Sequence, residues 1–136
     1  MLVFAFIAKA QNVTAVWDFQ NNLPEGINTA ANFQGKEGDL ASTVEGITMH
    51  VNATQGKLKG RTTDAQFNAG TILQIPVKSA NDMVTVTTYP NYHNLTVGGK
   101  TATEDVTEYN ATSAEVAKGY VEVVATGGCY LYQVKV

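Results

Sequence analysis

Hydrophobic and polar residues alternate along most of this chain with a period of two, not 3.6, and that period belongs to strands. Val13, Ala15, Trp17 and Phe19 alternate with Thr14, Val16, Asp18 and Gln20, giving a strand with one aromatic face. The same pattern recurs at Ile47, Met49 and Val51, at Ala65 and Phe67, at Leu73, Ile75 and Val77, and at Val84 and Val86. Tyr120 to Thr126 and Tyr130 to Val136 close the chain as two further strands.

Turn chemistry falls between these runs. Gly98-Gly99 and Gly127-Gly128 each read as a tight reversal, because paired glycines supply the positive φ angles that short hairpins demand. Asn81-Asp82 reads as a turn, Pro90-Asn91 as a loop, and the Asn-, Gly- and acid-rich stretch from Asn21 to about Asp39 as a longer loop. Thr112-Ser113-Ala114-Glu115 is a capping box that predicts one short helical turn ending at Gly119. The expectation is an all-β, antiparallel β-sandwich, jelly-roll-like, with about eight or nine strands and one short helical turn. Trp17, Phe19, Phe67, Leu73, Ile75, Val84, Val86, Val121, Val123, Tyr132 and Val134 are its expected core.

Composition narrows the classes. A chain of 136 residues supports one domain. With 15 % charged and 44 % hydrophobic residues it is too apolar for intrinsic disorder. The net charge of −3 argues against a nucleic-acid module resting on a basic surface. A lone cysteine, Cys129, excludes an intrachain disulfide and zinc sites built on several thiolates. The apolar run Leu2 to Ala8 followed by Ala8-Lys9-Ala10 reads as the tail of a secretory signal peptide, residues 1–10, leaving residues 11–136 as the domain. The run is far too short to span a membrane, which takes about 20 residues. The alternative is a hydrophobic first strand. Sequons at Asn12, Asn52, Asn94 and Asn110 carry no functional weight in a chain so rich in Asn and Thr.

Catalysis finds little support. His50 and His93 are the two histidines, and none of Ser42, Ser79 and Ser113 sits in a nucleophile-elbow motif. Cys129 in a strand reads as a small buried hydrophobe. Glu104, Asp105 and Glu108 cluster as glycosidase carboxylates can, but in a polar segment after a hairpin, where a solvated loop is the better explanation. Asp18 and Asp39 offer oxygen ligands of the kind calcium takes, but no run of alternating acids accompanies them, so no metal site and no cofactor is assigned.

Two stretches suggest binding instead. Lys57, Lys59 and Arg61 alternate with Leu58 and Gly60, so an extended backbone puts three cations on one face, suited to carboxylates. The same row serves equally to keep a strand edge from aggregating. Tyr89, Tyr92, His93 and Asn94 surround Pro90-Asn91 and combine aromatic faces with polar groups, as sugar sites do; the plainer role is a core edge with hydroxyls in water. Between the two stretches, Gln66 and Asn68 alternate outward about Phe67, available to sugar hydroxyls or to cross-strand pairing.

Four segments carry a family likeness: VWDFQNNLPEGI at 16–27, GKLKGRTTDAQFNAGTILQIPV at 56–77, VTVTTYPNYHNLTVGG at 84–99 and GYVEVVATGGCYLYQVKV at 119–136. In these the chain resembles small β-sandwich accessory domains of secreted polysaccharide-degrading proteins from gut Bacteroidetes, often placed beside pectate-lyase-like or pectinesterase-like catalytic domains. The resemblance implies a carbohydrate-binding-module-like role; the residues point to no catalysis, and the signal-like segment 1–10 implies export to the periplasm, the cell surface or the medium. The resemblance fixes no ligand; the row Lys57, Lys59 and Arg61 points the expectation to a plant cell-wall or acidic, pectin-like polysaccharide, and the usual neighbours of such domains suggest a pectin-active enzyme domain as a partner. The competing expectation is a structural or interaction module that docks or spaces such a domain.

Overall fold

A computed structural model describes residues 14–21, 23–24 and 32–136 of the chain. The expected signal segment and part of the expected loop from Asn21 to Asp39 lie outside the described residues. The strands are β1 (Val16–Asp18), β2 (Asn32–Gln34), β3 (Glu37–Ala41), β4 (Thr48–Asn52), β5 (Lys57–Gly60), β6 (Ala65–Phe67), β7 (Ile72–Pro76), β8 (Met83–Val97), β9 (Lys100–Thr101), β10 (Val106–Asn110) and β11 (Tyr120–Lys135), with α1 (Ser113–Lys118) before β11. Every strand pairing is antiparallel, and the fold is all-β as the period of two predicts.

The long strand β11 organises the sheet. One of its edges is lined in turn by β7, β6 and β1, while β8 runs along the other. From β7 the sheet continues through β4 to β3, and from β6 through β5 to β2. The two branches meet where β2 leads into β3, with Gly35 N–H donating to the Ala53 carbonyl at 2.9 Å, and the β3 end also reaches back to β1. Thr43 N–H donates to the Val16 carbonyl at 2.9 Å, and the buried Trp17 Nε1 donates to the Leu40 carbonyl at 2.8 Å. The sheet is thereby nearly closed on an interior built around Trp17, Phe19, Leu40, Leu58, Phe67, Leu73, Ile75 and Leu131. Burying each such large apolar side chain contributes about 1.5–3 kcal/mol. The short helix is held as its sequence predicts: the Thr112 hydroxyl and Glu115 carboxylate form a capping box, and Gly119 ends the turn at φ +98°.

The structure corrects the turn and loop assignments at four places. Gly127-Gly128 is no reversal; β11 runs straight through it, neither glycine has the positive φ of a two-residue hairpin, and the pair bends the strand where its register against β8 shifts. Pro90-Asn91 lies inside β8 rather than in a loop. The polar stretch after Gly98-Gly99 contains β10, and the expected loop to Asp39 contains β2 and β3. These short strands escape a reading of hydrophobic alternation because, among the described residues, each buries a single side chain, Phe33, Leu40 or Thr107, too few to show a period of two. Of the expected core, Tyr132 alone is half-buried on the outside. A register shift between Leu131 and Gln133 puts Tyr132 on the face opposite Val134, although they are two positions apart and regular alternation would place them on one face.

Candidate functional site

In a regular strand Tyr89 and Tyr92, three residues apart, would face opposite sides of the sheet. Here Asn91 adopts φ +67°, and its N–H donates to Asp105 Oδ1 at 2.9 Å. Asparagine tolerates this left-handed conformation better than most residues. Opposite the short step from Cys129 to Leu131 on β11, β8 takes the longer path from His93 to Thr88, so residues 89–92 bulge outward. Tyr89 and Tyr92 therefore stand on the same outer face, 43 % and 46 % exposed, with ring centroids 5.7 Å apart.

Two further tyrosines complete the group. Tyr130 and Tyr132 of β11 flank the buried Leu131 and point outward. Tyr130 lies 5.1 Å from Tyr92 and 6.3 Å from Tyr89, and Tyr132 lies 5.8 Å from Tyr89, all edge to face. Such pairs add about 0.5–1.5 kcal/mol each beyond their buried area. Burial, then the neighbouring Tyr89 and Asp64, push the Tyr132 phenol above its ordinary pKa.

Arg61, just past β5, covers one side of this cluster. Its guanidinium lies 4.5 Å from the Tyr130 ring centroid, a cation–π contact. Its Nε is 2.8 Å from Asp64 Oδ1, and its Nη2 donates to Asp64 Oδ2 at 3.3 Å. Asp64 is 1 % exposed, whereas Arg61 is 47 % exposed. Oδ1 forms an ion pair but accepts no aligned hydrogen bond, and burial raises the Asp64 pKa against the lowering effect of Arg61. The turn between them is closed by Arg61 N–H donating to the Asp64 carbonyl at 2.7 Å. Arg61, Tyr89, Tyr92 and Tyr130 together line a recess of about 240 Å³.

The other expected binding residues separate by distance from this recess. Lys59, Gln66 and Tyr130 sit side by side on β5, β6 and β11, so the first two flank the tyrosines on the outer face. Lys57 and Asn68 lie one row further along, about 7 Å away on strand geometry, where Asn68 N–H donates to the Lys57 carbonyl. His93 turns towards Asp105, with Nε2 4.0 Å from its carboxylate. Asn94 Nδ2 donates to the Gly128 carbonyl at 2.9 Å, so this side chain braces the bend in β11. The structure thus brings Arg61, Tyr89 and Tyr92 into one recess with Lys59 and Gln66 beside it. Lys57, Asn68, His93 and Asn94 are not among the residues that line it.

Sequence reasoning passed over Tyr130 and Asp64 and placed Tyr132 in the core. Tyr130 was legible: once Cys129 and Leu131 are taken as core, alternation sends the residue between them outward. Tyr132 was not, because alternation pairs it with the buried Val134 and only the register shift after Leu131 separates the two. Asp64 left no such signal, since its burial depends on the turn that folds it beneath Arg61.

The remaining candidates are occupied or exposed. Cys129 is buried, its Sγ donates to the Tyr92 carbonyl at 2.9 Å, and burial pushes its thiol up to about 12. Glu104 and Glu108 line a second, polar recess of about 350 Å³ with Lys100, Thr101, Thr103, Val106 and Thr107. Although larger, it offers no aromatic surface, so a ligand there would displace water from already solvated groups for little gain. Asp18 Oδ1 accepts from the N–H groups of Gln20 and Asn21. Asp39 and Glu37 hold the two ring nitrogens of His50 at 2.9 and 3.0 Å. No helix among the described residues is long and apolar enough to cross a membrane. No protein-family model matches the chain, and neither the curated proteins nor the solved structures searched contain a match to it.

Proposed function

We propose that this chain is a non-catalytic carbohydrate-binding domain acting outside the cytoplasm, directed at a plant cell-wall or acidic, pectin-like polysaccharide. The observation that carries the reading is the outward tyrosine group with Arg61 stacked on it. Sugar rings pair C–H faces with aromatic rings and hydroxyls with fixed polar donors, and binding sites generally join such an apolar surface to a few placed polar groups. Lys57 and Lys59 on the adjoining outer face favour an acidic polymer, with attraction that weakens as salt rises.

The experiment is affinity electrophoresis through gels containing polygalacturonate. Wild type is expected to be retarded at low salt, less so at high salt, and Tyr92→Ala and Arg61→Ala to lose at least about 1.4 kcal/mol, a tenfold drop. Unretarded wild type at low salt counts against the reading. A second reading, a module that docks a catalytic domain, draws on the same residues, because Tyr and Arg dominate protein interfaces too. The concave shape of the site favours the sugar, since small-ligand sites are recesses that join an apolar surface to a few placed polar groups.

A further inference from the structure

The four rings share no plane. Tyr89 meets Tyr92 at 69°, Tyr130 at 73° and Tyr132 at 67°, and Tyr92 meets Tyr130 at 68°. A flat ligand can rest on several aromatic faces at once only when those faces are nearly coplanar. Rings standing this close to perpendicular instead wall a recess, and its three tyrosines, Tyr89, Tyr92 and Tyr130, offer their faces in three different directions.

The wall on the Arg61 side is fixed as well. Asp64 occupies its Nε and Nη2 edge, and the Tyr130 ring centroid lies 4.5 Å from the guanidinium, so both contacts oppose a swing that would flatten the surface. The donors of Arg61 that Asp64 leaves unspent are those of Nη1 and the second hydrogen of Nη2. Because Asp64 is buried, it cannot itself reach a ligand; it acts as a positioning residue for that remaining edge. The recess, about 240 Å³, is smaller than the roughly 300–1,000 Å³ of pockets that enclose drug-sized molecules. It admits one ring of a chain, not a run of several side by side.

Resting on the carbohydrate reading above, we infer that this site grips a single sugar residue of a soluble glycan, at a chain end or within a short oligosaccharide, and does not bind the flat face of an insoluble polymer. The ring lodges against one tyrosine face while its hydroxyls or carboxylate meet the free edge of Arg61. Lys59 and Gln66, on the row that includes Tyr130, meet the neighbouring residue of the same chain.

The test uses the full chain and four probes: oligogalacturonides, xylo-oligosaccharides, cello-oligosaccharides and microcrystalline cellulose. Binding to the soluble probes is measured by calorimetry and by amide and Arg Nε chemical shifts, and binding to cellulose by sedimentation. The expected result is saturable binding of at least one soluble probe, with shifts at Arg61 Nε and around Tyr89–Tyr92. The disaccharide of that sugar keeps at least a tenth of the longer probe's affinity, and Tyr92→Ala loses at least tenfold while its circular dichroism matches wild type. Sedimentation with cellulose that short oligosaccharides fail to reverse would overturn the inference and leave the carbohydrate reading standing. An affinity that vanishes below several sugar units would overturn it in the same way. Failure of all four probes would remove both.

Discussion

Asp64 and His50 show how opposite surroundings act on single ionisable side chains. Asp64 is buried, and desolvation raises its pKa although Arg61 opposes the shift. The folded chain therefore holds this proton more tightly than the unfolded one. The associated stability is fully present below the ordinary carboxylate value, about 4, and is lost as pH rises through the higher native value. Asp64→Asn removes the dependence, so its melting temperature relative to wild type should climb between acidic and neutral pH. A variant much less stable than wild type at pH 7 would mean that the ion pair outweighs desolvation. His50 lies nearer the surface, and its hydrogen bond to Asp39, then that to Glu37, raises its pKa. Its contribution is present below the unfolded value of about 6.5 and fades as pH climbs through the raised one. A proton NMR titration should place the His50 midpoint above that value, with Asp39→Asn lowering it more than Glu37→Gln. A midpoint at or below 6.5 in wild type would show the two carboxylates do not act on the ring.

At the scale of elements, irregularities in β8 and β11 create the site. Perfect alternation would send Tyr89 and Tyr92 to opposite faces; the bulge at Asn91 unites them. The turn from β8 to β9 depends on a different backbone demand. Gly98 has φ +57°, and a β-carbon there would overlap the Tyr109 ring, whereas Gly99, φ +81°, faces open space. Gly98→Ala should therefore cost about 2–3 kcal/mol and Gly99→Ala about 1, the backbone part alone. Chemical denaturation would check this, and equal losses at the two positions would contradict the packing argument. Alternation and the turn residues were enough to read the fold class, the capping box and the Gly98-Gly99 reversal. They misread Gly127-Gly128 and Pro90-Asn91, because a strand that bends and a chain that reverses use the same local residues. Which of the two occurs is settled by the partner strand, here β8 running beside β11 on both sides of the glycines.

For the whole molecule, the nearly closed sheet makes β11 the shared wall of both branches. Cys129 lies in it between β6 and β8, fully buried, with its thiol pushed up to about 12. Exposing it requires these ladders to separate, which couples its reactivity to unfolding. Alkylation of the native protein should run roughly a thousandfold or more slower than that of the denatured chain, given ordinary domain stability. Labelling times under native conditions would measure this; rapid native labelling would mean that β11 frays locally.

The sequence alone determined that the chain folds as antiparallel strands around an apolar interior, since side-chain alternation is a local property that each strand carries in its own residues. It also supplied Arg61, Tyr89 and Tyr92. Tertiary structure decided that these three meet, that Tyr130 and Tyr132 join them, and that Asp64 lies buried beneath the arginine. The physical reason is register: one inserted residue reverses which face a side chain occupies, and insertions are fixed only when strands distant in sequence hydrogen-bond to each other.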